Sequence, residues 1–207
     1  MPLEVEVRFR IPNTLVRDKL VNSAEVNTLA MRDFRAVEMC AEYYDSPKHS
    51  LKAHHSTLRR RLEGGRPQVS FKSSTEGREH LLAREKWQCD ADEISVAIGI
   101  LMDMGAPEYL GEYARAEGYL ARGRFEYTRR GVPLMFSDGT VVELDVDEGR
   151  VLADGKRENM LEVVLKLLYG DPAVLVEFAR TIEVTYELTR EMCSKYERAL
   201  RLVRSRG

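Results

Sequence analysis

The amino-acid sequence predicts an α+β fold: a β-rich antiparallel chain with a few helices. Three observations predict it. Segment after segment alternates charged and aliphatic residues with a period of two, as a strand with one apolar face does. Turn-forming pairs at Gly64-Gly65, Asp138-Gly139 and Asp154-Gly155 punctuate these segments. Three other stretches space their apolar residues as helices do. The 207 residues suit a single domain, 1–207, with no internal repeat and no low-complexity linker.

The first strand is the clearest. From Leu3 to Ile11, Leu3, Val5, Val7, Phe9 and Ile11 share one face, and Glu4, Glu6, Arg8 and Arg10 share the other. Pro12-Asn13 opens a short helix carrying Leu15, Val16, Lys19 and Leu20. A strand through Arg35–Tyr44 ends at the turn Asp45-Ser46-Pro47. Thr57–Leu62 groups Arg59 with Arg61, and beyond Gly64-Gly65 the stretch Gln68–Lys72 groups Gln68, Ser70 and Lys72. Leu82–Gln88 groups Arg84 with Lys86, and the alternation makes Trp87 core. Ile94–Met104 reads as a helix through Ile94, Ala97, Ile98 and Leu101, stopped by Gly105. Tyr119–Thr128 sets Arg122, Arg124 and Glu126 opposite Tyr119, Ala121, Phe125 and Tyr127. Thr140–Asp147 sets Glu143, Asp145 and Asp147 opposite Val142, Leu144 and Val146. Met160–Leu168 sets Glu162, Val164 and Lys166 opposite Leu161, Val163, Leu165 and Leu167. A helix from Pro172 carries Leu175, Phe178, Ala179 and Ile182, and a last one carries Met192, Tyr196, Leu200 and Val203.

The charge is abundant but balanced. There are 32 Lys+Arg against 34 Asp+Glu, for a net charge of −2, and the pI is about 6.2. That balance argues against nucleic-acid binding by bulk charge, Arg59-Arg60-Arg61 notwithstanding. No apolar run approaches the roughly 20 residues of a membrane span. The opening Met1-Pro2-Leu3-Glu4 lacks the features of a secretory signal. Cys40, Cys89 and Cys193 are odd in number and far apart, which points to a reducing cytoplasm and to neither a disulfide framework nor a zinc site.

One strand with a charged face is an ordinary half-exposed strand. The set is unusual because its long charged side chains come in blocks of one sign. A sheet closed on itself would turn those faces to a lumen and the aliphatic faces to helices outside. Charges gathered at low dielectric cost several kcal/mol each (about that much) unless opposite charges or a ligand balance them. Arg59, Arg61, Lys72, Arg84, Lys86, Arg122 and Arg124 would suit a ligand rich in anionic oxygens, since guanidinium forks match phosphate. Glu4, Glu6, Glu143, Asp145, Asp147 and Glu162 would repel it unless a cation intervened, and Mg²⁺ or Mn²⁺ would serve. The pattern therefore suggests a polyphosphate chain between a basic wall and an acidic, metal-bridged wall.

These residues carry a resemblance. Glu4-Val5-Glu6-Val7-Arg8 resembles the Glu-x-Glu-x-Lys opening strand of the CYTH superfamily, the triphosphate tunnel metalloenzymes. In chain order, Tyr43-Tyr44-Asp45-Ser46-Pro47, Leu58-Arg59-Arg60-Arg61, Lys72, Arg84, Leu144–Gly149, Leu161-Glu162 and Ser194-Lys195-Tyr196 are similar to successive motifs of that family. The resemblance implies an eight-stranded closed antiparallel barrel, the triphosphate tunnel, with helices packed outside. It implies Glu4, Glu6 and Glu162 as metal ligands; Asp145 and Asp147, on one face of a neighbouring strand, would compensate for carboxylates missing from the late strand. It implies Arg8, Arg59, Arg61, Lys72, Arg84 and Arg124 as phosphate-binding residues. Glu4 or Glu6 would orient the attacking water. The implied activity is metal-dependent hydrolysis of inorganic triphosphate, polyphosphate, or a nucleoside or thiamine triphosphate. A non-catalytic triphosphate-binding module is the alternative, and an adenylyl cyclase forming cyclic AMP is a lesser one. The sequence departs from the family at Val164 and Lys166, where the late strand carries a further Glu, and at Lys86, where several relatives have Glu.

Overall fold

The computed structural model describes residues 3–74 and 82–204, except the side chains of residues 3, 74 and 82–84. It is α+β: a strongly curled antiparallel sheet of nine strands with seven helices. The strands are β1 (Leu3–Arg10), β2 (Arg35–Asp45), β3 (Ser56–Glu63), β4 (Arg66–Ser74), β5 (Leu82–Cys89), β6 (Leu120–Met135), β7 (Val141–Ala153), β8 (Lys156–Tyr169) and β9 (Thr189–Arg190). Their order is β5-β4-β3-β2-β6-β7-β8-β1-β9. β1 also pairs with β5, from Leu3 opposite Glu85 to Glu6 opposite Leu82. The two-residue β9 beside Phe9 and Arg10 was not foreseen.

The expected strands are all present, and β6, β7 and β8 run longer than their alternation suggested. The helices are α1 (Thr14–Val21), α2 (Ala24–Leu29), α3 (Ser50–Ala53), α4 (Ile94–Asp103), α5 (Tyr109–Ala116), α6 (Pro172–Thr185) and α7 (Lys195–Arg204). Asn13 caps α1 by accepting from the Val16 amide, and Asp171 caps α6 with Pro172 in its first turn.

Most of the aliphatic strand faces are buried under helices, as expected. Val5, Val7, Phe9, Leu144 and Leu165 pack with Leu20, Val26, Leu175 and Phe178 of α1, α2 and α6. Leu58, Val69, Phe71 and Trp87 pack with Leu51, Ala97, Leu101 and Leu110 of α3, α4 and α5.

α7 departs from the expectation that every helix lies outside. Its Tyr196, Ala199, Leu200 and Leu202 pack against Met39, Ala41, Phe125, Val151, Ala153 and Met160. These share strand parity with the cavity-lining Tyr43 of β2, Arg129 of β6, Asp145 of β7 and Lys166 of β8, so α7 lies on the sheet's concave side. The reason is local composition: the inner face turns from charged to apolar towards one end, and the amphipathic α7 covers the apolar part. Gly123 permits the approach, since a Cβ there would stand 2.4 Å from Ala199 Cβ.

Candidate functional site

The concave side encloses a cavity of about 820 Å³. Among the described residues its lining includes eleven Lys and Arg and five carboxylates, Glu4, Glu6, Glu63, Glu143 and Asp145. In a chain of net charge −2 that is a strong local excess of positive charge.

Each wall follows from the strand periodicity. β1 presents Glu4, Glu6 and Arg8; β3 presents Arg59 and Arg61; β4 presents Gln68, Ser70 and Lys72; β5 presents Lys86. β7 adds Glu143 and Asp145, and β8, paired with β1, adds Val164 beside Arg8 and Lys166 beside Glu6. Arg8 donates from Nη1 to the Cys193 carbonyl at 3.0 Å and lies 3.4 Å from Glu6. Its Nε and Nη2, and the Nε atoms of Arg59 and Arg61, are buried without a hydrogen-bond partner among the described residues. Such donors are costly to leave unmade, and an anion in the cavity would satisfy them.

Lys72 pairs closely with Glu4, and Lys86 Nζ lies 3.7 Å from the same carboxylate. Burial pulls the Lys72 ammonium down to about 8, with Glu6 and Glu4 opposing. Burial also lowers Lys86. Burial raises Glu4, but Lys72 and Lys86 outweigh it and hold the carboxyl below its ordinary value. Arg61 is lowered by burial and then by the neighbouring Arg59, the signature of two cations gathered in one place.

α7 supplies a further cation. Ser194 and Glu197 form a capping box: the Ser194 amide donates to Glu197 Oε2 at 2.7 Å and the Glu197 amide to Ser194 Oγ at 3.1 Å. Lys195 thereby opens α7 on the cavity side, its Nζ 2.6 Å from Glu162 and 3.3 Å from Asp147. Tyr196, one residue on, donates to Asp45 Oδ2 at 2.8 Å. Asp45 is fully buried and also accepts from the amides of Ser46, Leu51 and Lys52. The Tyr-Tyr-Asp-Ser-Pro and Ser-Lys-Tyr motifs, far apart in sequence, are thus two halves of one contact.

Several expected site residues lie elsewhere. Arg122 donates to the Ser46 carbonyl at 2.7 Å, and Arg124, half exposed, pairs with Glu126 at 2.9 Å. Neither lines the cavity. β6 turns its other face inward, with Tyr127, Arg129 and Gly131 at the cavity. Arg129 takes the place expected of Arg124, and the strand reading missed it because it stopped at Thr128. Arg84 lies on β5 with its side chain outside the described ones.

The carboxylates expected to hold metal do not converge. Asp147 and Glu162 lie behind Lys195 and do not line the cavity. Arg129 grips Asp147 at 2.7 and 2.8 Å and reaches Asp145 at 2.8 Å. Burial raises the Asp147 carboxyl, but Arg129 and Lys195 prevail and hold it far below the carboxylate range. Arg198 donates to Glu162 at 2.6 Å. Among the described residues no group of three or more His, Cys, Asp or Glu side chains is placed to hold a metal ion. A divalent cation needs several oxygen ligands at once, and these residues do not fit one as arranged.

Comparison with known proteins settles the family, since the CYTH domain family model matches residues 2–200. The chain belongs to the CYTH family. The CYTH fold is also found in solved structures. A Hippeastrum adenylyl cyclase candidate described as having a dominant triphosphatase activity aligns at a TM-score of 0.61 and 15% identity, covering 94% of this chain and 93% of its own. An adenylate cyclase candidate from Bacillus halodurans aligns at 0.58 and 12% identity, over 95% and 96%. A Pyrococcus horikoshii protein aligns at 0.56 and 16% identity, over 96% and 98%. At these identities the likeness is one of fold. Among the described residues no helix of this CYTH chain is long and apolar enough to cross a membrane.

Proposed function

We propose that this CYTH protein binds inorganic triphosphate, or a related organic triphosphate such as thiamine triphosphate or ATP, in the cavity and hydrolyses a terminal phosphoanhydride. The observation that carries the reading is the cavity's charge, eleven cations against five carboxylates on one concave surface. We propose further that the sheet closes as an eight-stranded tunnel with β9 outside the ring. The pairing of β1 with both β8 and β5 supports this.

In this reading Arg8, Arg59, Arg61 and Lys72 hold the phosphates, and Arg129 braces the opposite wall. Fixed guanidinium and ammonium groups stabilise charge developing on the transferred phosphoryl group without reorganising during the reaction. Glu4, kept ionised by Lys72 and Lys86, or its neighbour Glu6 accepts a hydrogen bond from the attacking water and orients it. The triphosphatase activity described for the Hippeastrum protein agrees with hydrolysis. Three free cysteines support a reducing, cytoplasmic setting.

Val164 and Lys166 on the inner face of β8 favour a second reading, a binder without turnover. One assay separates them. The protein is incubated with tripolyphosphate, thiamine triphosphate and ATP, with and without Mg²⁺ or Mn²⁺, while phosphate, pyrophosphate and cyclic AMP are followed. Phosphate release supports the triphosphatase, tight binding without turnover supports the binder, and no binding defeats both.

A further inference from the structure

The acidic wall already carries its own counter-cations. Lys166 Nζ donates to Asp145 Oδ2 at 2.6 Å, and Arg129 Nη1 lies 2.8 Å from the same oxygen. Arg129 also holds Asp147 through two hydrogen bonds. Lys195 spans Asp147 and Glu162, and Arg198 completes Glu162 at 2.6 Å. Three carboxylates thus face four cations, and all three are nearly inaccessible to solvent. Across the cavity Glu4 is held by Lys72 and Lys86.

A divalent cation entering here would have to displace an ammonium or guanidinium from each carboxylate it bound. It would also face the displaced charges at close range. Like charges at such range in a largely buried site repel strongly. The resident ammoniums already do what a bridging cation would do, which is to stand between acidic strands and an anionic ligand. Lys166 is best placed for it. It lines the cavity, and in the ladder it sits between Glu6 of β1 and Glu143 of β7.

We propose that Lys166, with Lys195 behind it, is a built-in counter-cation of the acidic wall, so that this chain binds triphosphate without a divalent metal. The proposal rests on the triphosphate reading above. An ammonium is a point charge that moves with its side chain, so it can leave Asp145 for a phosphate oxygen without loss of a ligand sphere.

The test is a pair of calorimetric titrations of the full chain with tripolyphosphate, in excess EDTA and in excess MgCl₂. It is accompanied by Mn²⁺ paramagnetic resonance on the phosphate-free protein. The proposal expects the affinity in EDTA to be within about threefold of that in Mg²⁺, or tighter, and no Mn²⁺ bound to the protein alone. It also expects Lys166→Gln to weaken binding in EDTA by about tenfold, and Lys166→Glu to create Mn²⁺ binding beside Glu143 and Asp145. Should either variant fail to fold, the wild-type titrations decide alone. Binding that is lost in EDTA and restored by Mg²⁺, or stoichiometric Mn²⁺ on the phosphate-free wild type, overturns this proposal and leaves the triphosphate reading standing. No binding under either condition overturns that reading and this proposal with it.

Discussion

The ammonium of Lys195, the first residue of α7, lies 2.6 Å from the carboxylate of Glu162 on β8. This buried pair joins the last helix to the inner face of the sheet. It explains why α7 sits on the concave side: its amphipathic face covers the apolar end of the sheet's inner face while its first turn faces the charged end. Glu162 accepts from Arg198 as well, one turn further along the same helix.

The same network makes Asp147 a point of stability. Asp147 is fully buried between Arg129 and Lys195. Asp147→Asn removes the anion that Arg129 and Lys195 share, leaving them only Asp145 and Glu162, and should cost about 3–5 kcal/mol in urea unfolding at neutral pH. Since the folded carboxyl is held far below its ordinary value, its contribution is complete above the unfolded pKa and declines as pH falls through the folded value. The gap between wild type and variant should therefore narrow in acid. An equal gap at all pH values would contradict the pairing.

The assignment of Arg59 on β3 to the cavity and of Arg124 on β6 to the outer face can be tested directly. Arg59→Ala should weaken tripolyphosphate binding by about tenfold or more, the range of a lost charged hydrogen bond. Arg124→Ala, on the outer face, should leave binding unchanged. Calorimetric titration of both variants checks this, and a loss with Arg124→Ala would reverse the assignment.

Glu6→Gln should abolish phosphate release from tripolyphosphate while binding persists. A variant that turned over at the wild-type rate would remove Glu6 from the reaction.

Lys72 sets an alkaline limit. With its ammonium at about 8, it is a cation below that pH and largely neutral above it. Affinity for tripolyphosphate should therefore fall as pH rises through about 8, by up to tenfold per unit, and binding should draw a proton from solution. Lys72→Arg, charged throughout, should remove this limb from the titration profile. A limb retained in the arginine variant would assign it to another group.

The approach of α7 depends on Gly123. Gly123→Ala brings a Cβ within 2.4 Å of Ala199 Cβ and should destabilise by about 1–3 kcal/mol as overpacking. Adding Ala199→Gly should recover part of that loss in a double-mutant cycle, and strictly additive effects would place α7 elsewhere.

Period-two alternation made the strands legible, because one apolar face must be buried wherever the other is charged. It also assigned β1, β3, β4, β7 and β8 to the correct side, since their aliphatic faces had only the outer helices to pack against. β6 was ambiguous for a physical reason. Both its faces carry long side chains, and alternation says which residues share a face, not which face turns inward. Tyr127, on the face opposite Arg122 and Arg124, both packs in the apolar cluster beneath α7 and lines the cavity. The choice lies in long-range contacts, including the register shift at Tyr43/Tyr44 opposite Gly123. The short α3 was equally illegible, since its first amides are satisfied by the Asp45 carboxylate of the preceding strand. The place of Lys195 was not legible either, because nothing local shows that α7 packs inside the curl of the sheet.

The most direct test of the whole account is a crystal structure of the protein grown with tripolyphosphate. The account predicts one tripolyphosphate in the cavity, its phosphate oxygens within hydrogen-bond distance of Arg8, Arg59 and Lys72. A cavity that stays free of phosphate at saturating ligand, or tripolyphosphate seated on the outer face beside Arg124, would contradict it.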